Sequence, residues 1–331
     1  MREILLKLCR REDLTRDEAR DAFLQIMSGS ATESQIGGLL IGLAAKGTTV
    51  DELVGAATVM REKSVAIACP ANDIIIDTCG TGGDVRGTFN ISTAAALITA
   101  AAGVKVVKHG NRSASSKSGS ADVLEKLGVK LDAQPDTLQK CLAETNICFA
   151  FARNHHPAMK HVAAARSALN IPTIFNLLGP LTNPARAKHQ LLGVFAPELT
   201  DRLAQVLREL GSTRAWVVHA EDGLDELSTL GPTRISELHN GHIRTETLDP
   251  RAMGAFVKTL TAMQAAGSPF PIPLLLVYAK QDPMVSPAIG EKLSALLPSA
   301  RMVWLDETSH FAHVDSPDRL LEPALDFLLG P

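Results

Sequence analysis

The stretch that decides the fold reads Asp77-Thr78-Cys79-Gly80-Thr81-Gly82-Gly83-Asp84, followed by Lys108-His109-Gly110-Asn111-Arg112-Ser113-Ala114-Ser115-Ser116-Lys117-Ser118-Gly119-Ser120. Each segment follows a short apolar run, residues 74–76 and residues 104–107, and each leads into a helix-type run. Glycine lets backbone N–H groups point into a concave loop, and a helix start adds free donors and partial positive charge. The order strand, loop, helix therefore predicts two neighbouring anion-binding segments, called here the first and the second segment.

The second segment carries three cations, Lys108, Arg112 and Lys117, together with five serines and no acid. An ordinary surface face pairs its charges, yet no acidic residue occurs between Lys105 and Asp122. The pattern therefore favours binding of a heavily phosphorylated small molecule over a merely solvated cationic loop.

The first segment departs from two common phosphate motifs. No Lys-Ser/Thr pair follows its glycines, as a P-loop requires, and its spacing is not the Gly-x-Gly-x-x-Gly of dinucleotide folds. Taken alone, it is compatible with an ordinary glycine turn. Asp84 favours a sugar hydroxyl or a metal-bound water over bare phosphate at that point. The following Asn90-Ile91-Ser92-Thr93 is compatible both with plain N-capping and with ligand contact.

Composition and charge narrow the class of protein. The chain has 331 residues, a formal net charge of −3 and 45% hydrophobic residues, which predicts two or three folded domains and argues against disorder or general nucleic-acid binding. Residues 1–13 lack a signal-type apolar core, and the longest weakly polar run, residues 91–107, is too short to span a membrane. The five cysteines show no metal-type spacing. We therefore expect a soluble, cytoplasmic protein that binds neither nucleic acid nor membrane.

Residues 1–66 read as helices. Thr15-Arg16-Asp17-Glu18 and Thr32-Glu33-Ser34-Gln35 are capping boxes, each ahead of a stretch with helical apolar spacing. A third helix is predicted to begin at Thr49 or Asp51. These helices carry no pattern typical of chemistry, so we interpret them as packing and interface elements.

From residue 70 onward, strand-type and helix-type runs alternate, which predicts an α/β sheet flanked by helices. A hairpin is predicted over residues 235–248, with its turn at Asn240-Gly241. The turn-rich residues 176–184 predict a crossing between lobes. The other predicted strands are residues 73–77, 104–107, 148–151 and 215–219, and the predicted helices are residues 91–102, 120–127, 157–168 and 199–210.

Three further patterns involve residues that follow predicted strands or lie in the next predicted helix. In His155-His156-Pro157, adjacent side chains on an extended segment diverge and no third ligand is near, so a wall for an aromatic substrate is favoured over a metal site. Arg166 is either a surface arginine or a bidentate partner for a carboxylate. Asp222-Gly223-Leu224-Asp225-Glu226 is either a solvated acidic turn or a Mg²⁺ site. Beside a phosphate cradle, a carboxylate pair favours Mg²⁺–pyrophosphate chemistry.

Taken together, these motifs resemble one family. Residues 1 to about 250 resemble the anthranilate phosphoribosyltransferases, transferases of tryptophan biosynthesis. The matching segments are Gly80-Thr81-Gly82-Gly83-Asp84, Asn90-Ile91-Ser92-Thr93, Lys108 through Ser120, His155-His156-Pro157-Ala158-Met159, Asn176 through Pro184, and Asp222-Gly223-Leu224-Asp225-Glu226.

The resemblance implies an α/β fold with a small all-helical domain, of the nucleoside phosphorylase/phosphoribosyltransferase type, and a homodimer formed through the helical domain. The small domain is expected to comprise residues 1–70, joined by about residues 168–190. The α/β phosphoribosyl-binding domain is expected to comprise residues 71–167 and 191–250. Residues 251–331 then form a carboxy-terminal tail. The active site is expected in the cleft between the two domains.

The resemblance also assigns site residues. Anthranilate is expected at Gly80, Asn111 and Arg166, with Arg166 on its carboxylate, and Mg²⁺ at Ser92, Asp225 and Glu226. Phosphoribosyl pyrophosphate is expected at Gly80, Gly83, Asp84, Thr88, Asn90, Ile91, Ser92, Thr93, Lys108, His109, Gly110, Asn111, Arg112, Ser113, Ala114, Ser115, Ser116 and Ser120. No residue is assigned as a catalytic acid, base or nucleophile, so positioning and leaving-group stabilisation are expected to accelerate the transfer.

The tail departs from the family pattern. Residues 270–330 resemble the end of an α/β-hydrolase, with strands predicted at 274–278 and 302–305 and helices at 287–297 and 317–329. Asp282 and His310 match the triad acid and histidine, but the chain contains no Gly-x-Ser-x-Gly nucleophile elbow, so both are expected to be inert. We interpret the tail as a fusion or a rearranged reading frame.

The sequence therefore predicts a Mg²⁺-using pentosyltransferase that acts on anthranilate and phosphoribosyl pyrophosphate. The alternatives are a catalytically impaired chimera that only binds phosphoribosyl compounds or only dimerises, and, with less support, a hydrolase that acts through the tail.

Overall fold

The computed structural model describes residues 1–70, 73–82, 90–113 and 118–250, and the backbone of strands 275–279 and 301–305. Residues 1–250 form one unit and residues 251–331 another, and the two are described separately.

The chain begins with four helices: α1 (Arg2–Cys9), α2 (Arg16–Met27), α3 (Glu33–Lys46) and α4 (Val50–Glu62). The two predicted capping boxes are confirmed at the starts of α2 and α3. The helix predicted to begin at Thr49 or Asp51 is α4, which begins after Thr49, again with a capping box. Each box satisfies N–H groups that a helix start leaves unpaired. Helix α2 packs on α4 and α1 on α3, and their apolar faces join the main hydrophobic core.

Seven strands form one sheet in the order β3-β2-β1-β4-β5-β6-β7, parallel from β3 to β5 and antiparallel from β5 to β7. The predicted α/β sheet is confirmed, although the sequence did not predict β4. Because the strand order reverses beside β1, the carboxyl end of β1 is where an α/β sheet usually binds its ligand. The strands are β1 (Ile75–Gly80), β2 (Lys105–Gly110), β3 (Ile147–Phe151), β4 (His189–Gly193), β5 (Arg214–Ala220), β6 (Thr233–His239) and β7 (His242–Leu248).

Helices connect these strands and follow the predicted order, with the addition of α7, α8 and α10, which the sequence did not predict. Leu138 and Leu142 of α7 are buried in a core cluster against β2 and β3. The helices are α5 (Ile91–Ala101), α6 (Ser120–Lys126), α7 (Pro135–Thr145), α8 (Ala152–His155), α9 (Lys160–Leu169), α10 (Ile174–Leu178) and α11 (Leu199–Glu209), with 3₁₀ turns at Pro157–Met159 and Gly179–Leu181.

Residues 174–184 lie between the helices and the sheet. Helix α10 packs against α3 and α4, while Asn183 donates a hydrogen bond to the Val107 carbonyl of β2 at 2.8 Å. This short segment, called here the crossing segment, therefore contacts both the amino-terminal helices and the strands of the predicted site.

The predicted hairpin is confirmed as β6 and β7. Its turn residues Asn240 and Gly241 have φ of 49° and 84°. Two successive left-handed residues give a turn whose twist matches the strands, and asparagine and glycine tolerate that conformation best.

In the second unit, β8 (Leu275–Ala279) and β9 (Arg301–Leu305) pair in parallel. Both predicted tail strands are thus confirmed to within a residue at each end. Asp282, His310 and the two predicted tail helices lie outside the described residues. In the part of the chain that the structure describes, no helix has the length and apolar character needed to cross a membrane.

Candidate active site

The site is organised around a crevice between β1 and β2. The two strands pair only as far as Ile76 and Val106, although they continue to Gly80 and Gly110. In the same region β1 stays paired with β4 and β2 with β3. The backbone pairing of β1 with β2 therefore ends where both predicted anion-binding segments begin. We call the region in which the two strands are no longer paired the β1–β2 crevice.

Side chains take over hydrogen bonds that the ladder no longer supplies. Asp77 Oδ1 accepts from the backbone N–H of His109 at 3.1 Å, and Lys108 Nζ donates to the Thr78 carbonyl at 2.5 Å. Buried backbone groups cost free energy when unpaired, so these contacts allow the strand pairing to end without leaving those groups unsatisfied.

The floor of the β1–β2 crevice is joined to the crossing segment and β4. Asn183 bridges to Val107, and Gln190 Nε2 donates to the Pro180 carbonyl at 2.7 Å and to Cys79 Sγ at 3.0 Å. Burial raises the pKa of the Cys79 thiol well above its usual value, so this cysteine is a structural acceptor rather than a nucleophile.

Lys108 is a buried cation, with only 2% of its surface exposed. Its Nζ also lies 3.2 Å from Ser92 Oγ, in the first turn of α5. Burial lowers the pKa of Lys108, while the carboxylates of Asp77 and Glu226 act in the opposite direction. The lysine therefore links the start of α5 electrostatically to the acidic loop after β5.

The acidic loop lies directly against the end of β1. A Cβ built on Gly80 would lie 2.8 Å from Asp225 Oδ2, and one on Gly193 would overlap the Asp225 backbone carbonyl. The lack of side chains at these two glycines is what lets Asp225 approach the sheet. Sequence reasoning assigned Gly80 to ligand binding and had no signal for this close approach.

These contacts bring Ser92, Asp225 and Glu226 to the same end of the sheet. Hydroxyl and carboxylate oxygens are the hard donors that Mg²⁺ prefers, and two carboxylates leave positions for water and substrate phosphates. Within the described residues there is no cluster of three or more His, Cys, Asp or Glu side chains suited to a metal ion. The donor set thus fits Mg²⁺ better than a fully protein-ligated metal.

The start of α5 is not a plain side-chain cap. Asn90 occupies the N-cap position without a side-chain cap hydrogen bond, and the hydroxyl of Ser92 contacts Lys108. Thr78 Oγ1 donates to the Ser92 carbonyl at 2.8 Å and fixes the helix start to β1. Side-chain capping by Asn90 is therefore not observed, and ligand contact by this stretch stays a prediction.

The second segment is held by acids from α6. Arg112 pairs with both carboxylate oxygens of Glu125 and with Asp122, each at 2.8 Å, and Asp122 Oδ2 accepts from the N–H groups of Ser113 and Gly119. These bonds, led by that to Glu125, raise the pKa of Arg112 above its ordinary value. The expectation that the cations here lack acidic partners is wrong for Arg112, because the acids come from the following helix.

His109 and His156 form a buried pair. His109 Nδ1 lies 3.1 Å from the Gly179 carbonyl, and its Nε2 lies 3.2 Å from His156 Nε2. A carbonyl only accepts, so the neutral His109 ring carries its proton on Nδ1. Burial lowers the pKa of His109 well below its usual value and that of His156 to about 4. The pair joins the second segment to the crossing segment.

The two adjacent histidines diverge, as predicted. His155 Nδ1 lies 2.7 Å from the Val65 carbonyl, whereas His156 faces His109. The two rings therefore bind different parts of the fold.

Arg166 is more than a surface arginine. Its guanidinium lies 5.1 Å from the centre of the Phe175 ring, and burial lowers its pKa. Arg166 is half-buried and forms no ion pair within the described residues, and such a cation is suited to receive an anionic group.

Several predicted site residues are not covered. Gly83, Asp84, Thr88, Ala114, Ser115 and Ser116 lie outside the described residues. Ser120 Oγ donates to the Asn111 carbonyl at 3.4 Å, at the edge of hydrogen-bond distance. Asp77 and Asn183 belong to the crevice but were not assigned a role from the sequence. The only sequence signals for a role were that Asp77 lies in the first segment and that Asn183 lies in the turn-rich residues 176–184.

The fold and this arrangement define a class of protein, an α/β glycosyl transferase with an amino-terminal helical bundle. Family profiles agree. Residues 2–64 match the helical bundle domain of the glycosyl transferase family, and residues 72–270 match its a/b domain.

The chain belongs to the anthranilate phosphoribosyltransferase family. It is 55% identical over 254 residues to the anthranilate phosphoribosyltransferase of Rhizobium johnstonii, covering 77% of this chain and 74% of that protein. It is 54% identical over 253 residues to that of Rhodospirillum rubrum, covering 76% of this chain and 72% of that protein.

Solved structures of the family have the same fold. The Thermus thermophilus enzyme matches with a TM-score of 0.71 and 43% identity, covering 76% of this chain and 74% of that one. The Saccharomyces cerevisiae enzyme in complex with PRPP and Mg matches with a TM-score of 0.68 and 28% identity, covering 76% and 73%. The chain is therefore a pentosyltransferase with the helical and α/β domains of this family.

Proposed function

We propose that the β1–β2 crevice binds phosphoribosyl pyrophosphate with Mg²⁺ and transfers its phosphoribosyl group to the amine of anthranilate. The main observation in support of this proposal is that four side chains converge at the carboxyl end of β1, namely those of Lys108, Ser92, Asp225 and Glu226. Saccharomyces cerevisiae relatives with PRPP and Mg, and with 4-fluoroanthranilate, support this choice of ligands.

The diphosphate is assigned to the start of α5 and to both anion-binding segments. Glycine-rich backbone and the free N–H groups of a helix start hold phosphate oxygens, and buried Lys108 adds a fixed positive charge. Arg112 acts in part through its ion pairs, which hold the second segment against α6. The His109 ring contacts His156, and the His109 backbone N–H donates to Asp77. His109 therefore contributes by fixing the second segment in place.

Ser92, Asp225 and Glu226 are proposed to hold Mg²⁺. When bound, the ion neutralises charge on the departing diphosphate. The chain's own part is to present the three oxygen donors beside Lys108, with Gly80 leaving room for Asp225.

Arg166 is proposed to bind the anthranilate carboxylate, with Asn111 and Gly80 beside the ring. The amine nitrogen then forms a bond to C1 of the ribose while the C1–oxygen bond breaks, and pyrophosphate leaves with the bonding electron pair. The amine releases one proton, and C1 inverts through an oxocarbenium-like transition state. The chain contributes alignment of the two substrates and a preorganised charged pocket for the leaving group.

We further propose the domain division and the dimer. The small domain comprises residues 1–70 with about 168–190, which the packing of α10 on α3 and α4 supports. Leu6 on α1 and Ile41 on α3 are exposed apolar side chains that fit a homodimer contact through these helices. All five cysteines are free, which favours a reducing, cytoplasmic location.

A second function is proposed for comparison only. Strands β8 and β9 pair in parallel, as the two strands of the predicted hydrolase-like tail should. Esterase activity would in addition need a nucleophile, which the sequence does not offer as a Gly-x-Ser-x-Gly elbow. A chain that binds phosphoribosyl pyrophosphate without transfer is the other alternative, because about a quarter of each relative has no counterpart in the alignments.

Anthranilate fluorescence tests the proposal on the full chain. We expect fluorescence to fall only when phosphoribosyl pyrophosphate and Mg²⁺ are both present, and chelation of the metal to stop the loss reversibly. Calorimetric binding of phosphoribosyl pyrophosphate without loss of fluorescence would favour the binding-only chain. Hydrolysis of a nitrophenyl ester that His310→Ala abolishes would favour the hydrolase. A peptide map across residues 245–275 checks the junction.

A further inference from the structure

Asp77 lies in the first segment, yet the proposed reaction gives it no role. Its side chain is fully buried, with 0% of the residue exposed. Oδ1 accepts from the His109 N–H, and Oδ2 has no hydrogen bond of good geometry among the described residues. The side chains of Asn183 and Cys79 are the other polar neighbours of this carboxyl group. A buried carboxyl group with one unsatisfied oxygen is costly, which points to a role beyond packing.

The group that Asp77 holds is the entry point of the second segment. The β1–β2 ladder ends at Ile76 and Val106, so no β1 backbone carbonyl is paired with the His109 N–H. Gly110 and Asn111 follow directly. The Asp77 carboxyl group therefore fixes the point at which the chain leaves β2 and enters the predicted anion site.

Two opposing effects act on the ionisation of this group. Burial raises the pKa of Asp77, and Lys108 acts in the opposite direction. An asparagine side chain has the shape of a neutral carboxyl group and keeps an oxygen that accepts from the His109 N–H. Asparagine is thus a conservative replacement, whereas alanine removes the acceptor.

We propose that Asp77 is a positioning residue whose hydrogen bond to the His109 N–H sets the second segment in place for the phosphorylated substrate. The inference rests on the proposed function, because it assigns that substrate to the β1–β2 crevice. Asp77 itself need not touch the substrate.

Amide hydrogen exchange on the ligand-free, full-length protein tests the contact itself. In Asp77→Ala we expect the His109 amide to exchange at least about tenfold faster, because its buried acceptor is gone. Asp77→Asn should exchange like the wild type. Gln190→Ala is the matched control, because it removes a neutral contact of the same crevice and makes no hydrogen bond with Asp77 or His109. Unchanged exchange in Asp77→Ala would overturn the proposal.

Binding of phosphoribosyl pyrophosphate with Mg²⁺, measured by calorimetry, tests the consequence. We expect about tenfold weaker binding in Asp77→Ala and affinity within about twofold of the wild type in Asp77→Asn. Equal losses in Asp77→Ala, Asp77→Asn and Gln190→Ala would indicate general damage to the crevice and overturn the proposal. Should Asp77→Ala not fold, Asp77→Ser, whose hydroxyl is too short to reach the amide, replaces it.

The two hypotheses fail separately. A wild-type chain that binds neither phosphoribosyl pyrophosphate nor inorganic pyrophosphate contradicts the proposed function. In that case the exchange measurement still decides whether Asp77 holds the second segment, since it needs no ligand.

Discussion

Among the residues that the structure describes, two acidic side chains are completely buried, and they differ in how well they are satisfied. Glu52, in the amino-terminal helices, accepts from the backbone N–H groups of Leu14 and Thr49 and lies 3.1 Å from the Lys46 ammonium. Asp77, at the β1–β2 crevice, accepts from one backbone N–H and leaves an oxygen without a hydrogen bond of good geometry among the described residues.

The difference separates a stabilising group from a functional one. Every oxygen of Glu52 is engaged, so the group fastens the start of α4 to Lys46 and to the segment before α2. Asp77 lies where the pairing of β1 with β2 ends and where the chain must hold a loop rather than a helix. Groups that violate local satisfaction are expected at sites that bind or react, and fully satisfied ones in scaffolds.

The largest expected effect is on the crevice side of this comparison. Replacing both Asp225 and Glu226 by alanine should lower kcat/KM by about 10²–10³-fold, because the leaving group loses its charge stabilisation. The Mg²⁺ dependence should weaken with it. The free energy of unfolding should change much less, and anthranilate consumption against Mg²⁺ concentration measures the effect.

Glu221→Ala is the control for that double variant, because Glu221 is an exposed carboxylate of the same loop. Its kinetics should match the wild type. Unchanged kinetics and Mg²⁺ response in the double variant would remove the metal assignment.

On the scaffold side, Glu52→Ala should act on stability. The change leaves the buried N–H groups of Leu14 and Thr49 without an acceptor, at a cost of about 1–3 kcal/mol each, while Lys46 keeps its contacts with Asp13 and the Gly47 carbonyl. Urea unfolding measures the loss, while kcat per folded molecule should stay close to the wild type.

The matched variant is Glu62→Ala, which breaks the exposed pair with Arg20 and should cost less than about 1 kcal/mol. Equal destabilisation by the two variants would show that burial and satisfaction do not distinguish Glu52.

The buried pair His109 and His156 adds a test of how stability depends on pH. The pKa of His156 falls from 6.5 to about 4 because of burial, so between these values the unfolded chain binds more protons than the folded one. The contribution of His156 to stability is therefore present above pH 6.5 and is lost as the pH falls towards 4, by about 3 kcal/mol in total. His156→Gln should flatten the dependence of the free energy of unfolding on pH in that window.

The control is His242→Gln on the exposed side of the hairpin. It should leave the slope of stability against pH as in the wild type. A slope unchanged by His156→Gln would show that another group causes the loss of stability in acid.

The successes of sequence reasoning concern local signals. The capping boxes at Thr15 and Thr32 and the turn at Asn240-Gly241 each depend on residues within a few positions of one another, and each was found where predicted. Strand β4 (His189–Gly193) was missed because it is short, follows a turn-rich run and gains its partners only in the sheet. Helix α7 was missed although Leu138 and Leu142 have helical spacing.

For the site, the sequence indicated the phosphate-type loops and the acidic pair, but not what fixes them. Nothing near Arg112 announced that Glu125 would pair with it from the next helix. The contacts of Asp77 with His109 and of Lys108 with Ser92 join residues far apart in the chain. Such pairings follow from strand order and register, which no local window contains.

By itself the sequence determined most of the helices and strands, the two glycine- and serine-rich loops and the chemical character of the proposed site. It could do so because periodicity, caps and turn residues act over a few positions. Only the tertiary structure decided that the pairing of β1 with β2 ends early, that Gly80 lies under Asp225 and that Asp77 remains half-satisfied. Those features depend on which distant segments burial brings together, and burial is a property of the whole fold.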